Sequence, residues 1–226
     1  MTEGRLHVFD DPAGAVAQLL AAEARRGGAI VLTGGSTPER AYELAARLEP
    51  DWSRAQVFWG DERCVPPDDG RSNFGLAKRA LLDRLAALPD VHRIRGELAP
   101  AAAAAEYEAE LGEATPDLLL LGLGPDGHVA SLFPGSPQLA ERARLVTHGP
   151  AGLEPFVERV TLTLPALLTA RRIVVLVAGA GKAEAVERSF RGPVDEEVPA
   201  SLLRRGEAPL DVYLDPAAAT GAASAN

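Results

Sequence analysis

His128 stands in the run Gly122-Leu-Gly-Pro-Asp-Gly-His128, directly after the apolar segment Leu118–Leu121. An imidazole is the side chain whose ordinary pKa lies nearest neutrality, so a histidine at the exit of a buried strand is a candidate base. Asp126, two residues earlier, is placed to orient or support the imidazolium; the alternative is that His128 only satisfies a loop backbone. His7, His92 and His148 have no comparable setting and read as structural or solvated. Four dispersed histidines and the single cysteine, Cys64, offer no usual nitrogen and sulfur ligand set, so no metal is expected. Gly122, Gly124 and Gly127 also fit a Gly-x-Gly-x-x-Gly dinucleotide fingerprint. Asp126 would repel a pyrophosphate, however, and Pro134 leaves too short a helix to pack beneath a nucleotide. The loop reads against dinucleotide binding.

A second candidate is Ile30-Val-Leu-Thr-Gly-Gly-Ser-Thr-Pro38, an apolar run that passes through Gly34 and Gly35 into a helix. Ser36 or Thr37 is expected to cap that helix, with Pro38 at its first position. Free N–H groups at a helix start attract anions, so Gly34, Gly35, Ser36 and Thr37 are candidate phosphate contacts. A plain strand-to-helix turn is the competing reading. No Gly-Lys-Ser/Thr follows, which excludes a Walker A loop, and Pro38 breaks the Gly-x-Ser-x-Gly pattern of a nucleophile elbow. In Val57-Phe-Trp-Gly-Asp-Glu-Arg-Cys-Val-Pro66, the residues alone favour a surface ion-pair cluster of Asp61, Glu62 and Arg63. Cys64 reads as a packed side chain. Lys182, after Ala178-Gly-Ala-Gly, opens a helix against its dipole, which favours a ligand at the same sheet edge.

These loops need a scaffold that brings strand ends together. Short apolar runs alternate with helix-patterned segments, the signature of an α/β domain. Strands are predicted at Leu6–Phe9, Ala29–Thr33, Gln56–Trp59, Leu118–Leu121, Val160–Leu164, Ile173–Val177 and Val212–Leu214. Helices are predicted at Pro12–Arg26, Pro38–Leu48, Asn73–Leu85, Pro100–Leu111 and Lys182–Phe190, with shorter ones near Pro165 and Pro199. Runs apolar at every position suit strands covered on both faces, as in a parallel sheet. The expected architecture is one doubly wound, mostly parallel, Rossmann-like domain over residues 1–215, with helices on both faces. Residues 216–226 are expected to fray.

Composition narrows the function. Apolar residues at 46% and charged residues at 24% describe a globular chain rather than a disordered or fibrous one. A net charge of −9 makes it a poor general binder of nucleic acid or anionic membrane. No apolar stretch approaches the ~20 residues of a membrane span, and the first residues lack a signal-peptide pattern. A cytoplasmic protein is expected.

Six segments together resemble the 6-phosphogluconolactonase family, within a wider group that includes glucosamine-6-phosphate deaminases. They are Leu-Thr-Gly-Gly-Ser-Thr-Pro (32–38), Trp-Gly-Asp-Glu-Arg-Cys-Val-Pro (59–66), Arg-Ser-Asn-Phe (71–74), the stretch 122–135, Arg-Val-Thr-Leu-Thr (159–163) and Gly-Lys-Ala (181–183). The resemblance implies a doubly wound α/β fold and cytosolic hydrolysis of 6-phospho-D-glucono-1,5-lactone, the second step of the oxidative pentose phosphate pathway. It implies no metal or organic cofactor and a small sugar-phosphate lactone as partner. His128 and Asp126 then carry the catalysis. Asp61, Arg63, Asn73, Arg159 and Lys182 join Gly34–Thr37 as substrate contacts. The deaminases typically continue after the histidine as Ile-Ala-Phe-Asn-Glu-Pro, where the Glu assists ring opening. This chain continues Val-Ala-Ser-Leu-Phe-Pro, without a carboxylate, which favours the lactonase over an isomerase or deaminase. A non-enzymatic sugar-phosphate sensor would keep the glycine loop and dispense with His128.

Overall fold

The two runs that are apolar throughout, Leu118–Leu121 and Ile173–Val177, lie side by side in a parallel sheet with every residue buried. Successive side chains of a strand point to opposite faces, so full burial means that both faces are covered. The computed structural model describes residues 2–112 and 114–220. Its strands are β1 (Arg5–Val8), β2 (Ala29–Leu32), β3 (Gln56–Trp59), β4 (Asp61–Arg63), β5 (Asp90–Val91), β6 (Leu118–Leu121), β7 (Val146–Gly149), β8 (Arg159–Leu162), β9 (Ile173–Val177) and β10 (Leu210–Leu214). Its helices are α1 (Pro12–Arg26), α2 (Ser36–Leu48), α3 (Asn73–Ala80), α4 (Pro100–Leu111), α5 (Pro137–Ala140), α6 (Leu164–Leu167), α7 (Ala183–Phe190) and α8 (Pro216–Ala219). No helix among the described residues is long and apolar enough to cross a membrane.

Seven strands form one all-parallel sheet in the order β1-β10-β9-β6-β2-β3-β5. From β2 the chain moves outward through β3 to β5, then returns to place β6 on the other side of β2. The loops after β2 and β6 therefore leave the sheet in opposite directions. This opens a crevice at the carboxyl ends of the strands, where doubly wound folds hold their ligands. The architecture is the Rossmann-like α/β fold expected.

A second, antiparallel sheet of order β4-β8-β7 was not anticipated. It corrects two expectations. The strand predicted at Val160–Leu164 is β8 of this small sheet, and it stops early because Thr163 caps α6, its side chain accepting from the Ala166 N–H. Asp61, Glu62 and Arg63 are not a surface ion-pair cluster: they form β4, with Asp61 and Glu62 buried. Three polar residues carry no apolar alternation, so pairing with β8 rather than intrinsic pattern makes them a strand.

The helix ends follow local chemistry. Asp11 caps α1 through its bond from the Gly14 N–H, and Gly27 closes it at φ +80°, the left-handed region that favours glycine. The helix predicted over Asn73–Leu85 ends at Ala80 and continues as a 3₁₀ turn, Leu82–Arg84. The expected fraying from residue 216 is corrected for its first residues. Asp215 caps α8 by accepting from the Ala218 N–H at 2.7 Å, and Ala218 is buried. Residues 221–226 lie outside the described residues.

Candidate active site

The loop after β6 is built so that an imidazole can lie across a glycine. The Gly124 N–H donates to the His128 carbonyl at 2.9 Å, and the Gly127 N–H donates to the Gly124 carbonyl at 3.1 Å. Gly127 has φ +89°, and a Cβ at Gly124 would stand 2.0 Å from His128 Nδ1. No other residue fits at position 124 without displacing the ring. The Phe133 ring packs on the imidazole at 4.4 Å between centroids.

Asp126 Oδ1 lies 2.6 Å from His128 Nδ1 and also accepts the His128 backbone N–H at 3.2 Å. Partial burial pushes the Asp126 carboxyl up, but the hydrogen bond and charge of His128 outweigh it and hold the group below its ordinary value. An ionised carboxylate can only accept, so the hydrogen-bond network assigns the proton to Nδ1 and a lone pair to Nε2. Among the described residues Nε2 has no hydrogen-bond partner.

Facing this loop are three cations. Arg63 on β4 stands opposite Arg159 in the register of β4 with β8. Arg63 Nη1 donates to the Arg71 carbonyl at 2.9 Å and to Asn73 Oδ1. Arg159 Nη2 donates to the Pro155 carbonyl at 2.9 Å. Among the described residues, the Nε atoms of both arginines are buried without a protein partner, an arrangement that asks for a ligand or water. Burial, then the like charge of Arg63, lowers the pKa of Arg159. Lys182 Nζ donates to the Leu123 carbonyl at 2.8 Å. Burial lowers its ammonium pKa, with Asp126 acting in the opposite sense.

Two buried carboxylates anchor the β4 end. Asp61 accepts from Ser131 Oγ at 2.6 Å and from Asn73 Nδ2 at 3.2 Å. Glu62 accepts from the N–H groups of Arg63, Asn73 and Phe74 at 2.7–2.8 Å and from Ser72 Oγ at 2.9 Å. Burial pushes the Glu62 carboxyl up against the downward pull of these donors. Glu62 thus clamps the start of α3 to β4. Cys64 is a packed thiol, pushed up to about 11 by burial.

After β2, Gly35 at φ +111° is the cap of α2. This corrects the expected cap: Ser36 and Thr37 are the first two helical residues, Pro38 is the third, and no side chain caps the helix. Gly34 is required by proximity, since a Cβ there would meet Asn73 Oδ1 at 1.9 Å. Among the described residues, the N–H groups of Gly34, Gly35, Ser36 and Thr37 donate to no protein acceptor. They are the unpaired donors of a helix start.

The result is a cleft of about 200 Å³. Gly34, Gly35, Asp61, Arg63 and Asn73 line one side, and His128, Arg159 and Lys182 complete it. Ser36, Thr37 and Asp126 do not line it, so Asp126 acts from behind His128. Sequence reasoning missed Ser131, Phe133, Leu153 and Glu154, which also line the cleft. Ser131 and Phe133 belong to the His128 motif and were available to it; Leu153 and Glu154 carry no sequence signal. Among the described residues no three His, Cys, Asp or Glu side chains come together as a metal-holding group.

The chain matches the family model for glucosamine-6-phosphate isomerases/6-phosphogluconolactonase over residues 9–212. It is 41% identical over 199 residues to the 6-phosphogluconolactonase of Mycobacterium tuberculosis, covering 80% of each chain. It is 38% identical over 226 residues to the human 6-phosphogluconolactonase, covering 91% of this chain and 87% of that one. In three dimensions it is similar to the crystal structure of 6-phosphogluconolactonase from Leishmania guyanensis. That match has a TM-score of 0.87 and 28% identity over 98% and 99% of the two chains.

Proposed function

The chain belongs to the family of glucosamine-6-phosphate isomerases and 6-phosphogluconolactonases, and on that premise we propose that it hydrolyses 6-phospho-D-glucono-1,5-lactone to 6-phospho-D-gluconate. This is the second step of the oxidative pentose phosphate pathway, and the reading is of a cytoplasmic enzyme needing neither cofactor nor metal. One observation carries it. His128 is held at Nδ1 by Asp126, with Nε2 unpartnered among the described residues, in the same cleft as Arg63, Arg159 and Lys182.

A δ-lactone is an activated ester, so a positioned water suffices as nucleophile. His128 Nε2 takes a proton from that water as its oxygen attacks C1, a contribution of ~10²–10⁴-fold. The imidazolium that forms faces the Asp126 carboxylate, which stabilises it. Collapse of the tetrahedral intermediate breaks the bond from C1 to the ring oxygen, and the imidazolium returns its proton to that oxygen. The phosphate is assigned to the N–H groups of Gly34 and Gly35, which line the cleft at the start of α2, with Arg63, Arg159 and Lys182 as countercharge. These short-range donors must act against a molecule of net charge −9.

Phe133 speaks against the deaminase alternative. In the segment where the deaminases carry their ring-opening glutamate, this chain packs an aromatic ring on the imidazole. A sensor would not need the Asp126–His128 pair. The test is purified protein with freshly made lactone, reading acid release above the spontaneous rate, beside glucosamine 6-phosphate with ammonia detection. Acid release without ammonia is expected; ammonia without lactonase activity would make the chain a deaminase.

A further inference from the structure

In the wall of the cleft runs a row of buried hydrogen bonds that proton transfer by His128 does not use. Ser131 Oγ donates to Asp61 Oδ2 at 2.6 Å. Asn73 Nδ2 donates to Asp61 Oδ1 at 3.2 Å and to the Asp61 carbonyl at 2.8 Å. Asn73 Oδ1 then accepts from Arg63 Nη1. Ser131, Asp61 and Asn73 are 1%, 7% and 1% exposed, so water does not replace these bonds easily. They come from three separate segments: the loop after β6, the start of β4 and the first residue of α3.

The direction of each bond matters. With its nitrogen committed to Asp61, the Asn73 amide can present only its oxygen to the guanidinium. A flipped amide would aim NH₂ at Arg63 and leave Nη1 only the Arg71 carbonyl. Arg63 is thereby held by one end, while among the described residues its buried Nε has no protein acceptor. The loop also takes an uncommon conformation to deliver Ser131. Ala130 has φ +49°, rare for a residue with a Cβ, inside the turn closed by the Val129–Leu132 bridge. Such a conformation persists where its surroundings over-determine it, and the Ser131–Asp61 bond is one such constraint.

We infer that Ser131 is a positioning residue for substrate capture: through Asp61 and Asn73 it fixes the direction in which Arg63 offers its donors to an anionic group of the substrate. This rests on the lactonase reading for the identity of the substrate, but the row of bonds exists without it.

The test uses Ser131→Ala, Ser131→Thr and Ser131→Cys in the full chain. Ser131→Ala should raise KM for the lactone and Kd for 6-phosphogluconate about tenfold, the cost of one charge-assisted bond. Its kcat and the pH profile of kcat should stay near wild type. Ser131→Thr, which keeps the hydroxyl, should restore most of the affinity. Ser131→Cys, a weaker donor of similar size, should fall between the two and covers the case in which alanine disturbs the loop. Added to Arg63→Ala, Ser131→Ala should have little further effect, whereas its effect should multiply with that of Lys182→Ala. A fall in kcat at unchanged KM, or full multiplication with Arg63→Ala, would overturn the inference. Exchange of the Arg63 Nε–H, followed by NMR in the ligand-free protein, separates this inference from the functional reading. Faster exchange in Ser131→Ala supports the positioning role, and unchanged exchange refutes it. A wild type that neither hydrolyses the lactone nor binds 6-phosphogluconate would sink only the substrate assignment.

Discussion

Asp126 Oδ1 stands 2.6 Å from His128 Nδ1, close enough that the carboxylate decides which imidazole nitrogen carries the proton. Replacing it by an amide keeps the shape and loses that control. Asp126→Asn should lower kcat by ~10²–10⁴-fold, by analogy with other His–Asp pairs, while affinity for 6-phosphogluconate changes little. Steady-state kinetics beside product titration checks this. An unchanged kcat would mean that Asp126 shapes the loop and nothing more.

Gly124→Ala tests the geometry of the same pair without touching either member. The new Cβ would stand 2.0 Å from His128 Nδ1, so the ring must move away from Asp126. A displacement of that kind costs on the order of 10²-fold in rate. The variant should melt close to wild type yet turn over slowly; full activity would show that the imidazole tolerates another position.

The cations should govern binding. Arg63→Ala and Lys182→Ala should each weaken capture about 10- to 150-fold, the range of a lost charge-assisted hydrogen bond. Arg159→Ala should do so too, since Arg159 lines the cleft and, among the described residues, its buried Nε has no partner. Wild type should prefer the phosphorylated lactone to gluconolactone, and the variants should lose that preference. Burial lowers the Lys182 ammonium pKa, so its charge is complete at low pH and is lost as pH rises, beginning below the ordinary lysine value of ~10.4. Affinity for 6-phosphogluconate should therefore weaken on the alkaline side in wild type and less so in Lys182→Arg. Equal hydrolysis of both lactones by wild type would leave the Gly34–Thr37 loop as a structural turn.

Glu62 should matter for stability rather than chemistry. It accepts four hydrogen bonds and does not line the cleft. Glu62→Gln turns an NH₂ toward two of those donors and should cost about 2–5 kcal/mol by chemical denaturation. A loss within experimental error would mean that the start of α3 is held by other contacts.

How much of this was legible in the sequence depended on whether the partners are neighbours along the chain. Asp126, His128 and their glycines form one contiguous motif, and the all-apolar strands β6 and β9 declare a doubly covered sheet. Asp61 and Ser131 are 70 positions apart, and nothing local to either announces the bond between them. The facing of Arg63 and Arg159 depends on the antiparallel pair β4–β8, whose strand β4 is wholly polar. At the loop after β2, the residue types pointed to a hydroxyl cap. The positive φ of Gly35 starts the helix at Ser36, two residues before Pro38, and leaves backbone N–H groups, not side chains, as the donors there.

The most direct test of the account compares wild type with His128→Asn on freshly made 6-phosphogluconolactone, with spontaneous hydrolysis subtracted. Asparagine can occupy the position but cannot take a proton from water. A loss of at least ~100-fold in kcat is expected, with 6-phosphogluconate binding and the melting transition preserved. Retention of more than about a third of the wild-type rate, far above what loss of a general base permits, would contradict it.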